Sequence, residues 1–364
     1  MPISEWQRPE LDDRLITICI PTHRRPSLLM HCLHSCLIQD YRPLEIDVSD
    51  NSPADDTRTL VESLTPPEGI SLRYWRNSPP IGPVENQRKL FAAVRGRRFV
   101  WMNDDDALVG GAVSAMASSF EWGSDVIVSY GIEQVMNQAG EIQREVSARW
   151  NAYYDQLPEG AGLRRDLLVC AFRKQMPHVG FLIMTEAARR VGIRDRAEVG
   201  LAIDTDFAIR LGQTYRGSAH AFIDRVTIQT RMDFSTLSWT AQDVCWKFYN
   251  VVSTINDLSA EETCARDDLL RRLGPQALRE HSFAHRRKAA LRILLSNTYR
   301  QHVGPIRMAY SAVLIAFPRI AFAMRSMLRD SLDWLPPAPP RNAEGEIAVG
   351  KDVSFRERLN KPAL

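Results

Sequence analysis

Four short apolar runs, each closing on a polar turn and separated by helix-like stretches, constrain this chain more than any other feature. They are Leu15–Ile20, closing on Pro21-Thr22; Leu44–Val48, closing on Ser49-Asp50-Asn51-Ser52; Ser71–Trp75; and Arg98–Met102, closing on Asn103 and the consecutive aspartates Asp104, Asp105 and Asp106. Short runs of β-branched and aromatic residues bounded by turn signals read as strands. Ser27–Gln39, Thr57–Leu64 and Val84–Val94, lying between them, carry helical spacing. Strand and helix in alternation predict an α/β domain with a mostly parallel sheet. Open α/β sheets bind ligands at the carboxyl ends of their strands. Pro21-Thr22, Asp50 and Asp104–Asp106 are therefore expected to converge on one crevice.

Three adjacent carboxylates repel one another unless water or a cation neutralises them. Hard cations such as Mg2+ or Mn2+ take oxygen ligands, commonly one or two carboxylates plus substrate phosphates. A solvated acidic turn is the plainer alternative. At 364 residues the chain can bury one large core or two smaller ones. A net charge of +2 does not select a nucleic-acid partner. The polar N-terminus shows no secretory signal, and six scattered cysteines lack a disulfide framework, so a reducing cytoplasm is expected. Cys32 and Cys36, with His31 and His34 nearby, are read as the apolar face of a helix and not as a zinc site, because no second Cys/His pair accompanies them.

Further along, Gly111–Phe120 reads as a helix, Val126–Tyr130 as a strand and residues 137–165 as a long loop or insertion. Met184–Val191 and a segment beginning at Asp204 read as helices, and Ala219–Arg231 contains a strand. From about Thr240 helical periodicity dominates. No acidic residue lies between Glu280 and Asp330, while Arg286, Arg287, Lys288, Arg292, Arg300, Arg307, Arg319, Arg325 and Arg329 interleave there with apolar groups. No stretch is long enough to span a bilayer. The pattern suits helices lying on an anionic membrane, or a helical subdomain packed on protein. Nucleic acid is not expected, since no recognised binding motif accompanies the charge. The expected division is 1–240, 241–335 for the basic helical region, and 336–364 for a Pro-rich, flexible tail.

The Leu15–Thr22 strand, the Asp50-Asn51-Ser52 turn, the Asn103–Asp106 strand end and the later Ile203-Asp204-Thr205-Asp206-Phe207-Ala208-Ile209-Arg210-Leu211 segment, in that order, resemble the inverting family-two glycosyltransferases of GT-A fold. The resemblance covers roughly residues 14–240. It implies a Rossmann-like, mostly parallel sheet flanked by helices. It also implies metal-assisted transfer of a sugar from a UDP- or dTDP-activated donor to a hydroxyl of a glycan or lipid-linked acceptor. A Mn2+ or Mg2+ ion neutralises charge developing on the leaving diphosphate. By resemblance Asp105 is the metal ligand, Asp106 binds metal directly or through water, and Asp104 lies nearer the ribose. Asn103 stands where the family carries its first aspartate. Asp50 reads the nucleobase, with Pro21 and Thr22 as the pocket floor, and Arg88 or Asn86 reaches the nucleotide. Asp50 is alternatively a turn cap.

Asp204 is the candidate general base, with Asp206 in reserve; helix N-capping is the other reading of Asp204. Met176-Pro177-His178-Val179-Gly180-Phe181 resembles an acceptor-side segment, with His178 contacting acceptor or phosphate and Gly180 leaving room for a sugar. Asp233 replaces a histidine usual near the diphosphate, Arg231 partly supplies the missing charge, and Trp239 stacks on a sugar or anchors the helical region. The expected location is cytoplasmic, peripheral on the inner membrane face. Two rival readings are a nucleotidyltransferase, which lacks here its glycine-rich loop after the first strand, and a non-catalytic membrane scaffold, motivated by Ile203 and Asp233.

Overall fold

The computed structural model describes residues 9–232 and 245–324. Asp233, Trp239, Arg325, Arg329 and the 336–364 tail lie outside the described residues. The chain divides into two compact units, residues 1–194 with 207–232, and residues 195–206 with 233–364.

The first unit is built on a nine-stranded sheet. Its strands are β1 (Asp12–Thr22), β2 (Leu44–Asp50), β3 (Ile70–Arg76), β4 (Gly96–Trp101), β5 (Ala107–Leu108), β6 (Val126–Met136), β7 (Gly162–Arg164), β8 (Leu182–Met184) and β9 (Ala219–Arg231). Seven short helices connect them: α1 (Pro26–Leu37), α2 (Asp56–Glu62), α3 (Pro83–Ala93), α4 (Ala112–Ser118), α5 (Arg144–Tyr153), α6 (Leu167–Arg173) and α7 (Thr185–Val191). The sheet order is β3-β2-β1-β4-β8-β6-β9-β5, with β7 on β9. Strands β1, β2, β3 and β4 pair in parallel, as alternation predicts. Strand β8 runs antiparallel to both β4 and β6, and β6 and β9 are parallel to each other.

Central strands covered on both faces read as continuous apolar runs. Ile16, Ile18 and Ile20 of β1 pack with Leu29, Leu33 and Cys36 of α1, so those cysteines are core groups, as expected. Phe91, Phe99, Trp101, Phe181 and Phe207 form an aromatic cluster, with ring centroids 4.7 Å apart for Phe91–Phe99 and 5.4 Å for Trp101–Phe207. Such edge-to-face pairs add about 0.5–1.5 kcal/mol each beyond area burial.

Residues 137–165 are not a loop. They form α5, a turn of 3-10 helix (Pro158–Gly160) and β7. Only Ser147 of α5 is buried, so the segment carries no apolar stripe to reveal it.

The second unit contains α8 (Arg196–Val199), the start of α9 (Ile203–Thr214), and then α10 (Cys245–Ser253), α11 (Ala260–Phe283), α12 (Arg287–Leu295), α13 (Asn297–Arg300), α14 (Pro305–Ala316) and α15 (Pro318–Met324). Ser259 and Glu262 close a reciprocal capping box at the start of α11. Residues 195–206 cluster with these helices, so the contact boundary does not fall at one point near residue 240. Among the described residues no helix is long and apolar enough to cross a membrane.

Candidate active site

The register of β1 and β2 sets Thr22 beside Asp50, and β4 lies on the other side of β1 with Cys19 opposite Trp101. The three aspartates follow directly from β4. Because β8 runs backwards, the segment preceding it returns to the same end of β4, where the Gly180 amide donates to the Trp101 carbonyl at 2.6 Å. Strands β6 and β9 bring Glu133 and Arg231 to that end as well. Sequence elements more than a hundred residues apart thus meet at one sheet edge.

Asp104 is almost fully buried. Thr22 Oγ1 donates to its Oδ2 at 2.7 Å. Arg25, at the N-cap of α1, pairs through Nη2 with Asp104 Oδ1 at 2.8 Å and through Nη1 with Asp105 Oδ2 at 2.8 Å. One guanidinium therefore bridges two neighbouring carboxylates. Burial pushes Asp104 up to about 7, Asp105 adds to that, and Arg25 and Thr22 oppose it. Asp105 is also raised, by burial and by Asp106. Burial works against the charge of Arg25, but Asp104 and Asp105 outweigh it and hold its proton more tightly than usual. Sequence reading missed Arg25: within His23-Arg24-Arg25 nothing marked which cation would turn inward.

The side chains of Asp104 and Asp106 are 1% and 2% exposed, while that of Asp105 is 15% exposed. Asp106 is clamped. Its Oδ1 accepts from the Arg231 amide at 2.9 Å, and its Oδ2 accepts from Asn103 Nδ2 at 3.2 Å and faces His178 Nε2 at 3.5 Å. Asn103 thus acts as a donor, a task that an aspartate could not perform. His178 Nδ1 lies 3.5 Å from Glu133 Oε1 on its other side. Burial disfavours the imidazolium, but Asp106 and Glu133 prevail and hold the pKa of His178 well above its ordinary value. Glu133 also accepts from Thr230 Oγ1 at 2.6 Å, Trp150 Nε1 at 3.1 Å and Gln156 Nε2 at 3.2 Å. Against its burial, His178 and these donors keep Glu133 ionised below its usual range. An acidic residue inside an otherwise apolar strand was the available signal for Glu133.

Arg231 sends Nε to the Asp105 carbonyl at 2.9 Å and Nη1 to the Gln138 carbonyl at 2.8 Å. Its charge sits beside the aspartates while its geometry fastens the loop after β6.

Asp50 is fully buried. Its Oδ1 accepts from the Ser52 amide at 2.7 Å, which is the turn cap of the alternative reading, and its Oδ2 accepts from Tyr74 at 2.8 Å. Asn86 is buried, with its Oδ1 accepting from Ser49 and Asn77. Arg88 pairs with Glu85 and donates to the Ile193 carbonyl at 2.9 Å from Nε and 2.6 Å from Nη2. These contacts tie α3 to the segment after α7. Gly180 does not open a sugar pocket: at φ +78° a Cβ would meet Ile228 at 2.7 Å, so the space is already filled. Asp204 is not the N-cap. The helix begins at Ile203, which places Asp204 and Asp206 in its first turn. Asp206 is buried and Asp204 is partly exposed.

The donor set fits a hard divalent cation: two carboxylates, one reachable from solvent, already share a positive charge.

Residues 17–174 match the model of glycosyl transferase family 2. The fold is correspondingly of GT-A type. Staphylococcus aureus TarS 1–349, solved in complex with UDP-GlcNAc, superposes with a TM-score of 0.52 at 15% identity, over 88% of this chain and 86% of that one. Among relatives, a Campylobacter jejuni GalNAc(5)-diNAcBac-PP-undecaprenol beta-1,3-glucosyltransferase is 30% identical over 101 residues, 28% of this chain and 33% of that protein. Salmonella typhimurium abequosyltransferase RfbV is 28% identical over 115 residues, 31% of this chain and 34% of that protein. The matches span about a third of the length of these relatives.

Proposed function

We propose that this chain is an inverting glycosyltransferase, moving a sugar from a UDP- or dTDP-activated donor to a hydroxyl of a glycan or lipid-linked acceptor. The observation that carries the reading is the Arg25 bridge between Asp104 and Asp105 at the carboxyl ends of β1 and β4. A guanidinium fork matches phosphate oxygens as well as carboxylates. In this reading Arg25, 41% exposed at its side chain, turns toward the donor diphosphate and leaves the two carboxylates to a Mn2+ or Mg2+ ion. Asp105 holds that ion, Asp104 supports it, and Asp106 acts through its grip on His178 and Arg231. The ion supplies charge neutralisation on the diphosphate. Pro21, Thr22 and Asp50 shape the nucleotide pocket, and Asp50 uses oxygens already oriented by Ser52 and Tyr74.

Asp204 is the assigned base, on its place in the acceptor-like segment and its partial exposure. It accepts the proton of the acceptor hydroxyl as that oxygen bonds to the anomeric carbon. The bond to the diphosphate breaks with its electron pair leaving on the phosphate oxygen, and the configuration inverts. Support for a glycan or lipid-linked acceptor comes from the helical unit. On α12, Arg287, Lys288, Leu291, Arg292 and Leu295 are exposed opposite buried Ala290, Ile293 and Leu294. Ile306, Phe317 and Ile320 are exposed as well. A basic, apolar face without acidic residues suits an anionic lipid surface.

The test is release of nucleoside diphosphate from UDP- and dTDP-sugars with Mn2+ and a panel of glycan acceptors. Asp105→Ala should abolish it. Asp204→Asn should lose turnover and keep nucleotide binding. Unchanged turnover in Asp105→Ala would overturn the metal assignment, and pyrophosphate release from a nucleoside triphosphate would replace the reading with nucleotidyl transfer.

A further inference from the structure

The carboxyl ends of the strands do not hold all of the metal-competent chemistry. At the other end of β9, Asp166, Cys170 and His220 bring a carboxylate oxygen, a thiol and an imidazole nitrogen within 4.8 Å of one another. Asp166 is the N-cap residue of α6 and Cys170 lies one turn on, so both face the same way. His220 is the second residue of β9 and is fully buried. Eleven residue steps along the strand separate it from Arg231, roughly 36 Å at about 3.3 Å per residue.

We propose that these three residues form a structural Zn2+ site that fastens α6 to the start of β9. Zinc bonds of about 2.0–2.1 Å to nitrogen or oxygen and about 2.3 Å to sulfur give tetrahedral edges of about 3.4 Å (N to O) and about 3.6 Å (S to N). His220 Nε2 lies 3.6 Å from Cys170 Sγ and 3.6 Å from Asp166 Oδ1. The nitrogen–oxygen separation is too long for a hydrogen bond, whose range is about 2.7–3.2 Å. It matches two ligands of one ion instead. Mixed thiolate, imidazole and carboxylate ligation selects zinc over magnesium or manganese.

The surroundings are those of a metal ligand set. Arg164 grips Asp166 with Nε at 3.0 Å and Nη2 at 2.5 Å, which orients the carboxylate and keeps it charged. Tyr130, fully buried, stacks on the His220 ring with centroids 5.9 Å apart and holds it in place. Binding forms the Zn–S bond and releases one proton from Cys170 to solvent.

The experiment uses the full chain, stripped with chelator and titrated with Co2+. The expected result is a sulfur-to-cobalt charge-transfer band that saturates at one equivalent, is bleached by Zn2+, survives in Asp105→Ala and is lost in Cys170→Ser. Zinc should release about one proton per chain and raise the unfolding temperature of the wild type but not of His220→Asn. Absence of the band, or its survival in Cys170→Ser, would overturn the site. Should Cys170→Ser not fold, X-ray absorption of the wild-type zinc protein decides directly. One sulfur with nitrogen or oxygen neighbours supports the proposal, and any other sulfur count defeats it.

Discussion

Arg25 sets the electrostatics of the aspartate cluster from a position that no strand pattern announces. Removing it takes away the only salt-bridge partner of Asp104 among the described residues and the nearest cation of Asp105, in a poorly solvated place. Arg25→Ala should lower kcat/KM for donor hydrolysis by about 100-fold, the typical scale for losing one preorganised donor. Arg25→Lys should recover only part, since a point charge cannot make the two-pronged contact; equal activity in both variants would refute a bridging role. Thr22, Asp50 and Asp104–Asp106 were legible in the sequence because each stands where an apolar run stops. Arg25 and Glu133 were not, because their roles depend on which strands become neighbours. Gly180 was legible as special but for the wrong reason. Gly180→Ala should cost about 1–3 kcal/mol in unfolding free energy, from a strained φ and the overlap with Ile228. Relief by Ile228→Val in a denaturant melt would identify the overlap as the cause.

Among the elements, alternation of strand and helix up to β4 was readable because each element buries a face with its own period. The sheet beyond β4 was not, since an antiparallel β8 of only three residues carries almost no pattern. Helix α5 escaped notice for a related reason: it is mostly solvated and works through two side-chain anchors, Trp150 in α5 and Gln156 just after it, on Glu133. Trp150→Phe should keep the ring contacts and lose the hydrogen bond. Between α10 and α11, buried Glu280 accepts from the Trp246 amide at 2.8 Å and from Gln276 at 2.9 Å. Burial raises the pKa of Glu280 against these donors. The folded state then binds a proton at higher pH than the unfolded chain, so this contribution is full below about 4.5 and fades as pH rises through the folded value. Relative to Glu280→Gln, the wild type should lose stability as pH climbs from 4.5 toward neutrality. A difference curve that is flat, or slopes the other way, in urea melts would contradict this.

For the whole molecule, the proposed seating of the helical unit on an anionic lipid surface has a calculable strength. About 1 kcal/mol per basic residue near an anionic surface means that Arg287, Lys288 and Arg292 together are worth roughly 100-fold in vesicle partitioning. Changing all three to Gln should reduce sedimentation with anionic vesicles by about that factor, leave neutral vesicles unaffected, and leave the unfolding temperature unchanged. Vesicle binding that ignores both salt and the triple change would place this face against protein instead. Charge patterning carried this expectation from sequence, whereas the grouping of residues 195–206 with the helical unit had no sequence signal, because it depends on long-range contacts alone. The Arg25 bridge has one more consequence at this scale. The carboxylates carry a counter-ion of their own, encoded in the chain, so charge balance at this cluster does not wait for a divalent ion to arrive.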